Sequence, residues 1–139
     1  MKSLFTLILF VLPLIGFSQT SGLSTQTLDQ RLIDAFEPEY LQNLQSSNAF
    51  LIEYYTIFLD HGYEIQEFPE GKLAHMESVD IEAEELENFN VLHVIRKYEL
   101  ERSSQAFKYY RLGDTQKVLV LYSEDHFAKK LNELTGRKH

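Results

Sequence analysis

The sequence has no cysteine and no tryptophan, and only three prolines and six glycines in 139 residues. Without cysteine there is no disulfide, no thiol nucleophile and no thiolate metal centre, so burial alone must hold the fold and any chemistry must come from other side chains. A thioether lipid anchor is excluded for the same reason. Also missing are a GxSxG nucleophile elbow, a phosphate-cradling glycine loop and an HExxH zinc signature. Acid exceeds base, giving a formal net charge of −8. A net acidic chain repels phosphate backbones, which argues against nucleic acid as a partner.

What is present begins with an address. Residues 1–18, MKSLFTLILFVLPLIGFS, run from an early Lys2 through an apolar stretch to a proline break and the small residues Gly16 and Ser18. That order is expected of a secretory signal peptide cleaved after Ser18. The apolar run from Leu4 to Leu12 is shorter than the about 20 residues a spanning helix needs, so no membrane span is expected in the mature chain. Residues 19–26, QTSGLSTQ, read as a disordered lead-in, and 27–136 as one domain, exported to the periplasm or secreted.

The remaining chain is organised around Ala49 to Leu59, AFLIEYYTIFL, where only Glu53 and Thr56 are clearly polar. A helix here is apolar around most of its girth and must be covered on several sides. Gly62 follows at the place of a left-handed glycine stop. Ahead of it, Leu28, Leu32, Ile33 and Phe36 recur at helical spacing behind the caps Thr27 or Asp29. Pro38 then opens a second helix carrying Tyr40, Leu41 and Leu44.

Beyond the hub, Tyr63–Phe68 and Lys72–Val79 are expected to form strands joined by a Pro69-Glu70-Gly71 turn. Asp80–Asn88 is acidic and is expected on an exposed short helix or loop. Val91–Tyr98 reads as a further strand. Gly113–Gln116 links Ala106–Leu112 to Lys117–Tyr122 as a hairpin, with Tyr109 opposite Val120 and Tyr110 opposite Leu119. Both faces of VLVLY are apolar, so Lys117–Tyr122 should be an inner strand. Ser123 caps a last helix whose Phe127, Leu131 and Leu134 face inward, and Gly136 stops it. The expected class is α+β: two N-terminal helices, a mainly antiparallel sheet of about five strands, and a C-terminal helix.

Two constellations are candidates for function. His75 and Glu77 share one face of the second expected strand, and His93 would join them if the Val91–Tyr98 strand lay alongside; two imidazoles and a carboxylate suit zinc with an open position. The other is aromatic. Tyr54, Tyr55, Tyr109 and Tyr110 come from the hub and the hairpin, and amphipathic rings of this kind serve as core with hydroxyls at the surface, or as a contact surface for a sugar, peptide or protein. The reading that follows is a small exported, non-catalytic binding or interaction protein of the cell envelope, needing no cofactor. Two alternatives stand beside it: a small metal-dependent hydrolase using the His75, Glu77 and His93 site, and a homodimeric structural protein paired through the hub's excess apolar surface.

Overall fold

A computed structural model describes residues 27–136; the expected signal peptide and lead-in at 1–26, and the basic tail at 137–139, lie outside the described residues. The chain is α+β, as its patterning predicts. Three helices lead: α1 (Gln30–Ala35), α2 (Pro38–Ser47) and α3 (Ala49–His61). Then come β1 (Tyr63–Glu67), α4 (Glu70–Leu73), β2 (Glu77–Val79), α5 (Ala83–Glu87), α6 (Val91–Lys97), β3 (Lys108–Leu112), β4 (Lys117–Leu121) and α7 (Glu124–Thr135). The four strands form one mixed sheet in the order β1-β4-β3-β2, in which β2 alone runs parallel to its neighbour β3.

Alternation along β4 divides the interior into two clusters. Leu119 and Leu121 face the helices with Tyr110 and Leu112 of β3, and meet Leu32, Ile52, Phe58, Leu59, Val94 and Phe127 in the main core. Val118 and Val120 point the other way and are covered by Leu73, Phe68 and Met76 from the α4 region. A strand buried on both faces reads as an uninterrupted apolar run, which is why VLVLY occupies the inside of the sheet. The hairpin register is as the sequence indicates, with Tyr109 paired to Val120 and Tyr110 to Leu119.

The helix starts have identifiable causes. Asp29, not Thr27, caps α1 by accepting from the Arg31 N–H; Asn48 accepts from Leu51 N at the start of α3; Ser123 accepts from His126 N at the start of α7. Each satisfies a donor that the first turn leaves free. Gly136 ends α7 in the left-handed conformation at φ 74°. Gly62 does not: its φ is −92°, a value open to any residue. What demands glycine there is space, because a Cβ would stand 2.1 Å from the Phe58 ring.

Three expectations are corrected. Val91–Tyr98 is not a strand but α6, because Asn90 accepts from both Leu92 N and His93 N and so opens a helix. Val91, Leu92, Val94, Ile95 and Tyr98 then all pack on the main core at helical spacing. Lys72–Val79 is not one return strand. Pro69 caps α4 instead of turning a hairpin, and only Glu77–Val79 remains extended, paired to the far edge of the sheet. The strand count is therefore four among the described residues, not about five. The hub helix is covered on several sides, as expected. Ile52, Phe58 and Leu59 are buried, and Leu51, Tyr54, Tyr55 and Ile57 also pack against the main core, while Phe50 stays 48 % exposed.

Candidate functional site

The helices occupy one face of the sheet, and α4 covers only part of the other. The strip left uncovered carries Tyr109 of β3 and Phe107 just before it, 40 % and 42 % exposed. Two residues apart on one strand face, their side chains stand about 6.6 to 6.8 Å from each other along the strand. Both rings are braced from the side. Phe68 lies against Tyr109 with ring centres 6.1 Å apart, and Tyr122 and His126 lie against Phe107 at 5.4 and 5.1 Å. His126 in turn meets Tyr122 edge-on at 4.7 Å.

Phe107 and Tyr109 form a ridge between two shallow depressions. The larger, about 570 Å³, is rimmed by Gln105, Asp125, His126 and Lys129. The other, about 420 Å³, is bounded by Phe68, His75, Met76 and Glu77. Charges around the ridge are largely answered within the protein. Lys108 pairs with Glu77 at 3.4 Å, Arg111 with Glu70 at 3.1 Å, and Lys130 sits 5.6 Å above the Tyr122 ring. The Tyr122 hydroxyl donates to the Glu64 carboxylate. Burial and that hydrogen bond push the phenol up to about 12, and the same bond holds the Glu64 carboxyl below its usual range. The α7 N-terminus offers little to an anion, since Glu124 N and Asp125 N already donate to the Ser103 and Ser104 carbonyls and the first turn is acidic.

The four tyrosines singled out in the sequence do not converge. Tyr110 points into the main core, where its hydroxyl accepts from Glu101 N at 2.9 Å and donates to Glu101 O at 3.0 Å. Tyr54 accepts from Arg102 Nη1 at 2.7 Å, fixing a guanidinium that lies 4.7 Å over the Phe58 ring. Tyr55 meets the Tyr40 hydroxyl at 3.4 Å and the Phe36 ring at 4.9 Å. Tyr109 alone lies on the uncovered strip. Phe107, its partner there, was visible in the sequence as its neighbour two residues away on one strand face; which face would stay bare was not.

His75, Glu77 and His93 are likewise not brought together. His75 and Glu77 border the smaller depression beside Tyr109, whereas His93 is on α6 in a separate depression with Arg31, Glu85 and Asn90. Its placement follows from the correction of 91–98 to a helix. Among the described residues no group of three His, Asp or Glu side chains is positioned to hold a metal ion.

His93 joins a different assembly. Glu85, at the third position of α5, accepts from Lys97 Nζ at 2.7 Å, from the Tyr98 hydroxyl, from Glu82 N at 3.2 Å and meets His93 Nε2 at 3.1 Å. Burial raises its pKa, but the hydrogen bonds outweigh it and hold the carboxyl at about 2. With four partners this carboxylate clamps α5 to α6 and has little capacity left for a substrate. Nearby, Arg31 is held by Asp29 and Asp60 at 2.8 and 2.9 Å, so it too is occupied. Among the described residues no helix is long and apolar enough to cross a membrane. Comparison with known protein families, curated proteins and solved structures finds no match to this chain, so its function rests on its own geometry.

Proposed function

We propose that the chain is an exported, non-catalytic binding protein of the cell envelope, and that its contact surface is the uncovered strip of the sheet at Phe107 and Tyr109. The observation that supports this most is the pair of large aromatic side chains left about 40 % bare side by side. Each is held in place by neighbouring rings that remain partly or wholly covered. Pre-set rings lose little side-chain freedom on binding, and exposed aromatics gain most from being covered. The leader at residues 1–18 supports export, and the carboxylate and guanidinium groups near His93 are engaged in structural bonds rather than open to a substrate.

Fractionation of cells expressing the full chain should find it outside the cytoplasm with Gln19 as its first residue. The purified protein should co-sediment with isolated envelope material, and the double variant F107A/Y109A should stay in the supernatant. A cytoplasmic product that retains Met1, or equal sedimentation of the two proteins, would overturn the reading.

A further inference from the structure

From the same strip we infer the class of its ligand: an uncharged oligosaccharide that lies across the Phe107–Tyr109 ridge. This deepens the proposed function and rests on it. Size comes first. A large aromatic side chain offers about 150 to 250 Å² in all, so two rings at roughly 40 % exposure present on the order of 100 Å² each. Adding the partly covered Phe68 and Met76 leaves the apolar patch short of the roughly 450 Å² of non-polar area that a standard interface of about 800 Å² per partner carries. A second copy of the chain or a globular protein is therefore poorly matched, whereas depressions of about 570 and 420 Å³ are of small-ligand size.

Charge comes next. Lys108, Arg111 and Lys130 are committed to Glu77, Glu70 and the Tyr122 ring, and the acidic first turn of α7 borders the larger depression. Lys129 and Asp125 both rim the larger depression, so neither sign of charge dominates there. Backbone geometry excludes a third class. An added peptide strand needs a run of unpaired N–H and C=O groups along a sheet edge, but β4 pairs Lys108–Arg111 on one side and β2 pairs Tyr110–Leu112 on the other, which leaves only Lys108 and Tyr109 of β3 open, short of an ordinary strand.

The remaining chemistry is amphipathic and neutral. A pyranose ring has an apolar C–H face and a rim of hydroxyls that both donate and accept. The ridge supplies flat aromatic surface, and its borders supply a carboxamide at Gln105, a carboxylate at Asp125, an ammonium at Lys129 and an imidazole at His75. Rings placed two residues apart on a rigid strand suit successive units of a chain rather than one compact molecule.

Affinity electrophoresis of the full chain tests this, using gels cast with hydroxyethylcellulose, laminarin, galactomannan or arabinoxylan, and with alginate as the anionic counterpart. At least one neutral polymer should retard the protein, and F107A or Y109A should each weaken that retardation about tenfold, corresponding to about 1.4 kcal/mol. I33A, a truncation of an equally exposed side chain on α1, should leave it unchanged. Retardation should also persist from about 0.05 to 0.5 M salt, because no ion pair is involved. Retardation by alginate alone, or by a neutral polymer with both variants unaffected, would overturn the inference. If the protein co-sediments with envelope material through Phe107 and Tyr109 while every neutral polymer leaves its mobility unchanged, the saccharide is wrong and the contact surface stands. If neither occurs, both fall.

Discussion

Gly62 lies between the hub helix and the first strand, and replacing it by alanine is the most discriminating perturbation of the core. Its φ of −92° costs alanine nothing, so a requirement for left-handed backbone predicts a neutral substitution. Space predicts otherwise. The added Cβ would lie 2.1, 2.4 and 2.6 Å from three carbons of the Phe58 ring. Carbon contacts are relaxed at about 3.5 to 4.0 Å, so the ring must retreat by about 1.4 Å or more. Phe58 is 1 % exposed and is fixed by the Phe127 ring at 5.1 Å and the Arg102 guanidinium at 4.7 Å, which leaves it nowhere to go. Overpacking of this kind costs about 1 to 3 kcal/mol, and the rigid surroundings place G62A toward the upper end. Urea unfolding with linear extrapolation measures it. F58A alone should cost about 3 to 5 kcal/mol. In that background the alanine at 62 meets no ring and should add less than about 0.5 kcal/mol, a coupling that a double-mutant cycle isolates. A G62A protein as stable as wild type, or a penalty that survives in F58A/G62A, would refute the steric explanation.

Further outcomes follow from the polar contacts. Glu85 has a folded pKa of about 2 against an ordinary 4.5, so its stabilising contribution is complete above about pH 4.5 and is lost as the pH falls toward 2. E85Q should therefore unfold with a flatter pH dependence in that window by circular dichroism at fixed urea; an unchanged acid limb would contradict the clamp. Tyr122 is shifted the opposite way, to about 12 from 10, so its contribution is complete below about pH 10 and lost as the pH rises through 12. Y122F should show a shallower alkaline loss than wild type. Asn90 both caps α6 and donates to the Arg31 carbonyl at 2.9 Å. N90A should cost about 1 to 3 kcal/mol and N90D less, since aspartate keeps the cap and loses only the cross-link to α1.

Much of the frame was legible from local pattern. The hub helix, the two helices before it, the last helix and the β3–β4 register all have periodicity or turn chemistry that tertiary structure did not override. Where the sequence misled, two structures satisfied the same pattern. Val91, Leu92, Val94 and Ile95 suit a buried strand as well as a helix face, and only the bonds made by Asn90 decide between them. Pro69 and Gly71 suit a hairpin turn equally well, yet Leu73 is drawn under Val118 and Val120 and makes the segment helical. The acidic run at 82–87 looked like a solvated face, but Glu85 is turned in toward Lys97, Tyr98 and His93, all of which became reachable once 91–97 was a helix. The same change separated His93 from His75 and Glu77. The bare strip was half visible: alternation put Phe107 and Tyr109 on one face, while which face stayed bare depended on how far α4 extends over the sheet.

The claim that matters most is that the bare strip at Phe107 and Tyr109 is the surface the molecule uses. Carbene footprinting of the full chain with and without isolated envelope material measures this directly at residue resolution. Protection of Phe107, Tyr109 and the adjoining Phe68, with Ile33 and Leu134 labelled equally in both states, is the expected result. Protection centred on His93 and Arg31, or labelling at Phe107 and Tyr109 that does not change, would contradict it.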